Sequence, residues 1–176
     1  MTDFLLLETE RLRLYGWRIE QLDDLVRLHG DPETARYLAL SGRPWTREEC
    51  TTALMHWIDL FETRRLGKMR LERKSDGLLV GRCGFGVHGP EAVPEIGFSL
   101  FPQYRGQGYA TEAATALRDW YFAETDSDHF IGMADVRNTA SLATLARIGM
   151  KKTHVEPDGD RQVQFHIYTR EMFDAR

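Results

Sequence analysis

The sequence predicts an α+β fold, with a mixed, mostly antiparallel sheet of about seven strands and flanking helices. Three observations carry this. Apolar residues recur with period two in some stretches and at helical spacing in others. Two turns, Ser75–Asp76–Gly77 and Pro157–Asp158–Gly159, lie between strand-like runs and read as hairpins, which favour antiparallel pairing. One strand-like run, Glu95–Leu100, passes through a glycine turn directly into a long helical pattern.

The elements follow in order. Residues 9–15 alternate polar and apolar, which predicts a half-exposed strand. Leu22, Leu25 and Val26 set a helix from Ile19 that Gly30 stops. Asp31–Pro32 caps and opens a short helical piece over 33–38. Residues 41–44, Ser-Gly-Arg-Pro, form a loop. Thr46 and Glu49 then make a capping box for a helix that carries Leu54, Trp57, Ile58 and Phe61 on one stripe and ends near Gly67. Strands are expected over 69–73, 78–87 and 94–101. The helix after the glycine turn buries Ala110, Ala113, Ala114, Leu117 and Tyr121. A strand over 130–136 leads to a helix over 139–148, capped by Asn138 and ended by Gly149. Strands over 150–155 and 163–169 close the chain.

The chain has 176 residues and reads as one domain, 1–176, without linker, repeat or low-complexity tract. Its 42% apolar and 28% charged residues are ordinary for a globular protein. The net charge of −4 argues against a general nucleic-acid binder, which needs a basic face, and suits a cationic partner. The N-terminus lacks a basic region before its apolar run, and no stretch is long enough to span a membrane. Cys50 and Cys83 fit two buried thiols better than a disulfide or metal site, so the cytoplasm is the expected compartment. His29, His56, His88, His129, His154 and His166 lack metal-ligand spacing, and no metal is expected.

The chemistry concentrates in Pro102-Gln-Tyr-Arg-Gly-Gln-Gly-Tyr-Ala-Thr111. Glycine at a strand-to-helix junction takes positive φ and lets a ligand approach the main chain. The first helical turn offers unpaired N–H groups and a partial positive charge. Together they favour an anion, most often a phosphate. The glycines alone are also compatible with a plain tight turn, or with a nucleotide-binding loop that lacks its third glycine.

Read whole, Gln103-x-x-Gly106-x-Gly108 resembles the acyl-CoA signature of the GCN5-related N-acetyltransferases (GNAT). The run from Tyr104 to Ala113 is similar to the RimJ/RimL-like branch, which acetylates ribosomal-protein N-termini. The resemblance covers nearly the whole chain. It implies an acyl-CoA fold whose strands splay on either side of the signature helix, with acetyl-CoA as co-substrate in the gap. It implies transfer of acetyl to a primary amine, on a small molecule or a protein N-terminus, by direct attack in a ternary complex. The alternative is an acyl-CoA-binding module without turnover. Monomers and dimers both occur among relatives.

The resemblance also assigns residues. Main-chain N–H groups of Arg105, Gly106, Gln107, Gly108, Tyr109 and Ala110 hold pyrophosphate, with side-chain contacts from Arg105 and Thr111. The main chain of Phe98 and Leu100 holds the thioester arm like an added strand. Glu95 is the base, directly or through water, or else orients the substrate. Asn138 bonds the pantetheine amide and Ser141 faces the sulfur, as positioning group and proton donor. Many relatives place a tyrosine acid where this chain has Leu145, so that assignment is lost. Trp17, Tyr37, Trp45 and Trp57 belong to the part that lines the acceptor side, with core packing as their alternative.

Overall fold

The computed structural model describes residues 4–38 and 42–176. The elements run β1 (Leu5–Glu8), β2 (Leu12–Tyr15), α1 (Leu22–His29), α2 (Pro32–Ala35), α3 (Arg47–Arg64), β3 (Gly67–Arg73), β4 (Leu79–His88) and β5 (Val93–Leu100). They continue with α4 (Tyr109–Glu124), β6 (His129–Asp135), α5 (Thr139–Arg147), β7 (Lys151–Asp158), β8 (Arg161–Thr169) and α6 (Arg170–Asp174). The strands form one eight-stranded sheet in the order β1-β2-β3-β4-β5-β6-β8-β7. Every neighbouring pair is antiparallel except β5 and β6.

The sheet has one strand more than the sequence suggests. β1 is a four-residue edge strand, too short to show alternation, and it pairs with β2. β2 begins only at Leu12. The three residues before it are turned away from the ladder, with the Leu12 N–H donating to the Thr9 hydroxyl at 3.0 Å. β7 runs on to Asp158, so Pro157 lies in a strand and the turn follows it. An edge strand tolerates proline because no inward neighbour needs its missing N–H. A short helix, α6, follows β8 and is capped by Thr169, whose hydroxyl accepts the Met172 N–H. The expected loop residue Ser41 lies outside the described residues.

Local signals otherwise act as expected. The Thr46 hydroxyl accepts the Glu49 N–H at 3.2 Å, and the Glu49 carboxylate accepts the Thr46 N–H at 2.7 Å. These bonds satisfy two end donors and start α3. It stops at Arg64, with Arg65 in the left-handed region.

Each face of the sheet has its own cover. Cys83 and Phe85 of β4 and Ile96 of β5 pack with Ala113, Ala114, Leu117 and Tyr121 of α4 in the main core. On the other face, α1 and α3 supply Leu25, Cys50, Leu54 and Trp57 to a second cluster with Trp17 and Leu79. Both cysteines are buried and unpaired. No helix among the described residues is long and apolar enough to cross a membrane.

β5 and β6 stay in register for only two pairs, Glu95↔Ile131 and Ile96↔Gly132. Beyond Ile96 the strands part, and a cavity of about 1790 Å³ opens there. It reaches from the glycine turn before α4 to the floor beside α2 and α3.

Candidate active site

The glycine turn stands as the sequence suggests. Gly106 and Gly108 have φ of 71° and 83°, a region that favours glycine. Gly108 is the N-cap of α4 and brings no side chain to occupy the helix donors. The first intrahelical bond runs from the Glu112 N–H to the Gly108 carbonyl at 3.0 Å. The N–H groups of Tyr109, Ala110 and Thr111 therefore precede the ladder, with the positive helix end behind them. Gly106, Gly108, Tyr109, Ala110 and Thr111 line the cavity. Gln107 turns its carboxamide back to donate to the Gln103 carbonyl at 3.1 Å, which leaves its main chain as its contribution.

A clamp from the start of β2 fixes this turn. Arg11 donates through Nη1 to the Gln107 carbonyl at 2.9 Å and through Nε to the Glu112 carboxylate at 2.7 Å. Glu112 also accepts the Thr9 hydroxyl at 2.5 Å and the Arg11 N–H at 2.8 Å. Burial pushes the Glu112 carboxyl up, but these bonds outweigh it and hold it below its ordinary range. The Arg11 guanidinium lies 4.5 Å over the Tyr109 ring.

Arg105 is occupied. It donates to the Leu100 carbonyl at 3.2 Å, to Glu33 at 2.9 Å and to the Thr34 hydroxyl at 3.0 Å. It ties the turn to β5 and α2, so its guanidinium is partly committed before any phosphate arrives. The same bond shows which way β5 presents its backbone. The Leu100 carbonyl faces away from β4, and strand alternation puts the main chain of Phe98 on the same, unpaired side.

Asn138 caps α5, its side-chain oxygen accepting the Ser141 N–H at 3.2 Å. The cap uses the side-chain oxygen and not the amide nitrogen. Ser141 lines the cavity. Leu145 is fully buried, and a Cβ on Gly132 of β6 would stand only 2.7 Å from its Cδ2. An apolar, close-packed site is consistent with the absence of an acid there. Before α5, Arg137 forks onto Asp135, whose carboxyl its hydrogen bonds hold down at about 2.

Glu95 does not stand alone. Lys68 of β3 reaches across β4 and donates to Glu95 Oε2 at 2.9 Å and to the Gly84 carbonyl at 3.2 Å. Lys68 is 7% exposed, and burial pushes its ammonium below the ordinary lysine range while Glu95 pulls it back. The pair lies on a floor without side chains. A Cβ on Gly97 would meet Lys68 Nζ at 2.6 Å, and one on Gly86 would lie 3.5 Å from both charged groups. Sequence reading misses Lys68 because only the pairing of β3, β4 and β5 brings it to Glu95.

Arg82, one step along β4, is the second missed cation. It faces Ser99 across the ladder and is 6% exposed. Its Nε donates to His29 Nε2 at 2.9 Å, and its guanidinium lies 5.0 Å over the Trp57 ring. His29 is fully buried, and burial together with the Arg82 charge pushes it down to about 2. Trp45 stands edge-on to His29 at 4.4 Å. Trp45, Trp57 and Tyr37 line the cavity, whereas Trp17 packs in the second core cluster. Among the described residues no group of three or more His, Cys, Asp or Glu could hold a metal ion.

Known proteins are similar to this chain. The acetyltransferase (GNAT) domain family matches residues 11–151. An uncharacterized N-acetyltransferase, p20, from Bacillus licheniformis is 28% identical over 83% of this chain and 82% of its own. An FsC-acetyl coenzyme A-N(2)-transacetylase from Aspergillus fumigatus is 30% identical over 85% of this chain and 66% of its own. The structure of RimL, a ribosomal L7/L12 alpha-N-protein acetyltransferase in complex with coenzyme A, superposes with a TM-score of 0.81. It covers 96% of this chain and 99% of that one, at 16% identity, and so shares the fold.

Proposed function

This chain belongs to the GNAT family and is an acetyl-CoA-dependent N-acetyltransferase, and on that premise we propose that it acetylates a primary amine by direct attack in a ternary complex. The observation that carries this reading is one continuous cavity. It joins the donors before α4 to the Lys68–Glu95 floor, so cofactor and amine can be present together. RimL is in complex with coenzyme A, which supports binding of the same cofactor here, and the turn and the open side of β5 offer the backbone groups for it.

In this reading main-chain donors of the turn from Gly106 to Thr111 hold the pyrophosphate, since the Arg105 N–H, expected among them, is already given to the Pro102 carbonyl at 3.2 Å, and the Phe98 main chain holds the thioester arm. The amine nitrogen attacks the thioester carbonyl carbon. The C–S bond breaks, and the thiolate leaves with a proton from Ser141 or from water held beside it. Glu95 receives the amine proton, directly or through water, and Lys68 positions its carboxylate. The amine is that of a small molecule or a protein N-terminus. The unit acting is one domain, 1–176, in the cytoplasm, as monomer or homodimer.

The test is thiol release with a panel of amines and N-terminal peptides, after calorimetry with acetyl-CoA. Glu95→Gln should lower turnover about a hundredfold below the acceptor's pKa, within the usual range for a general base. It should leave acetyl-CoA affinity unchanged. An unaltered pH–rate profile would remove Glu95 from the chemistry. Binding of acetyl-CoA without release of thiol from any amine favours the non-catalytic module.

A further inference from the structure

The floor of the cavity holds two buried cations, Lys68 and Arg82, and one facing carboxylate, Glu95. Lys68 takes that carboxylate. Arg82 gives its Nε to His29, a neutral ring, and lies over Trp57, while the charge of Glu95 reaches it only from beyond ion-pair distance. Neighbouring acids are already in use. Asp24 and Glu72 pair with Arg70, the residue facing Arg82 on β3. Glu33 pairs with Arg105, and Asp135 with Arg137. Among the described residues no carboxylate lies within ion-pair distance of Arg82.

A guanidinium withdrawn from water without a counter-ion is costly, whereas one matched by an anion is not. With Nε given to His29, two Nη groups remain. They form a planar fork that fits a carboxylate. Burial lowers the Arg82 pKa to about 10, so the charge persists at neutral pH. His29 cannot turn cationic and repel an anion there, since Arg82 and burial keep it neutral. The local balance thus reverses that of the whole chain, whose net charge is −4.

We infer that the acceptor is an amine that also carries a carboxylate, and that Arg82 binds this carboxylate. This rests on the acetyl transfer proposed above and narrows its acceptor. Trp57, under Arg82, and Trp45, against His29, both line the cavity and give the rest of such a molecule an apolar wall.

The test separates binding from transfer. With coenzyme A present, tryptophan fluorescence is titrated with N-acetylphenylalanine and N-acetylphenethylamine, and with N-acetylleucine and N-acetylisopentylamine. Each pair differs by one carboxylate. The wild type should bind the carboxylate member about tenfold or more tightly, as expected for a charged hydrogen bond. Arg82→Met should bring the ratio near one, and Arg82→Lys should give an intermediate ratio. Melting curves check folding, and Arg82→Gln replaces Arg82→Met if that variant does not fold. Equal affinities in the wild type, no binding by either member, or a preference that survives loss of Arg82 would overturn the inference.

Thiol release with phenylalanine and phenethylamine then tells the two readings apart. Equal kcat/KM for both amines overturns the carboxylate site and leaves the transferase reading intact. A carboxylate preference in binding, with no transfer to any amine, sinks the transferase reading and leaves the Arg82 site.

Discussion

The cavity has two ends built in different ways. At one end, one short turn presents Gly106, Gly108, Tyr109, Ala110 and Thr111 to the cavity, with backbone N–H groups that precede the α4 ladder. At the other end, Lys68, Arg82 and Glu95 come from three strands, and His29 and Trp57 from two helices. The first end is a property of local conformation. The second exists only when the sheet is paired in register. A turn can therefore be read from its own letters, whereas a charged floor cannot, because no short stretch contains it.

Substitutions can break or sharpen this contrast. The largest effect should come from Gly108→Trp. The left-handed φ of 83° disfavours any side chain by roughly 1–2 kcal/mol, which a folded domain tolerates. Indole over the α4 donors should lower acetyl-CoA affinity about a hundredfold or more, the worth of two charge-assisted bonds. Calorimetry checks the affinity and a melting curve the fold. Wild-type affinity in the folded variant would move the anion site elsewhere.

Next comes pH. His29 ionises near 6.5 when unfolded and at about 2 when folded. Its contribution to stability is fully present above 6.5 and is lost as pH falls below it, because the unfolded chain then binds the extra proton. At pH 5 the loss should be about 2 kcal/mol, or roughly thirtyfold in the folded ratio. Urea titrations at pH 7 and pH 5 measure it. His29→Gln should flatten that part of the slope, and an unchanged slope would locate the proton uptake elsewhere.

Smaller is the effect of Gly97→Ala. Its Cβ would meet the Lys68 ammonium at 2.6 Å and the Glu95 carboxylate at 3.1 Å, both ends of flexible side chains, so the fold should survive while the pair is displaced. We expect about a tenfold fall in kcat with acetyl-CoA affinity unchanged, in line with a misplaced catalytic group. Smallest should be Arg11→Ala, which removes the bond to Gln107 but none of the phosphate donors. Acetyl-CoA affinity should fall only severalfold, the worth of one partly exposed bond. A loss as large as for Gly108→Trp would make the clamp part of the site itself.

What was legible follows the same division. The capping box of Thr46 and Glu49, the strand–turn–helix unit and the hairpin at Asp76 each depend on neighbours in the chain. β1 was hidden because a four-residue edge strand carries no period of its own. The start of β2 was misjudged because Thr9 and Arg11 are drawn to Glu112, about a hundred residues away, which alternation cannot register. Glu95 was named from the family resemblance of its strand, but its partner Lys68 and the neighbouring Arg82–His29 pair required the ladder. Trp17 follows the core-packing alternative, and Trp57 belongs both to that core cluster and to the cavity wall.

The early parting of β5 and β6 has a consequence for how long the protein lasts. Main-chain groups along the open side of β5 lack a strand to pair with, so a molecule that pairs with them acts on folding as well as on chemistry. Mass action then links stability to cofactor supply, by about 2.7 kcal/mol at a hundred times Kd. Fewer chains would be unfolded, and open to proteolysis, when acetyl-CoA is plentiful. The protein's abundance would then report on the pool it draws from.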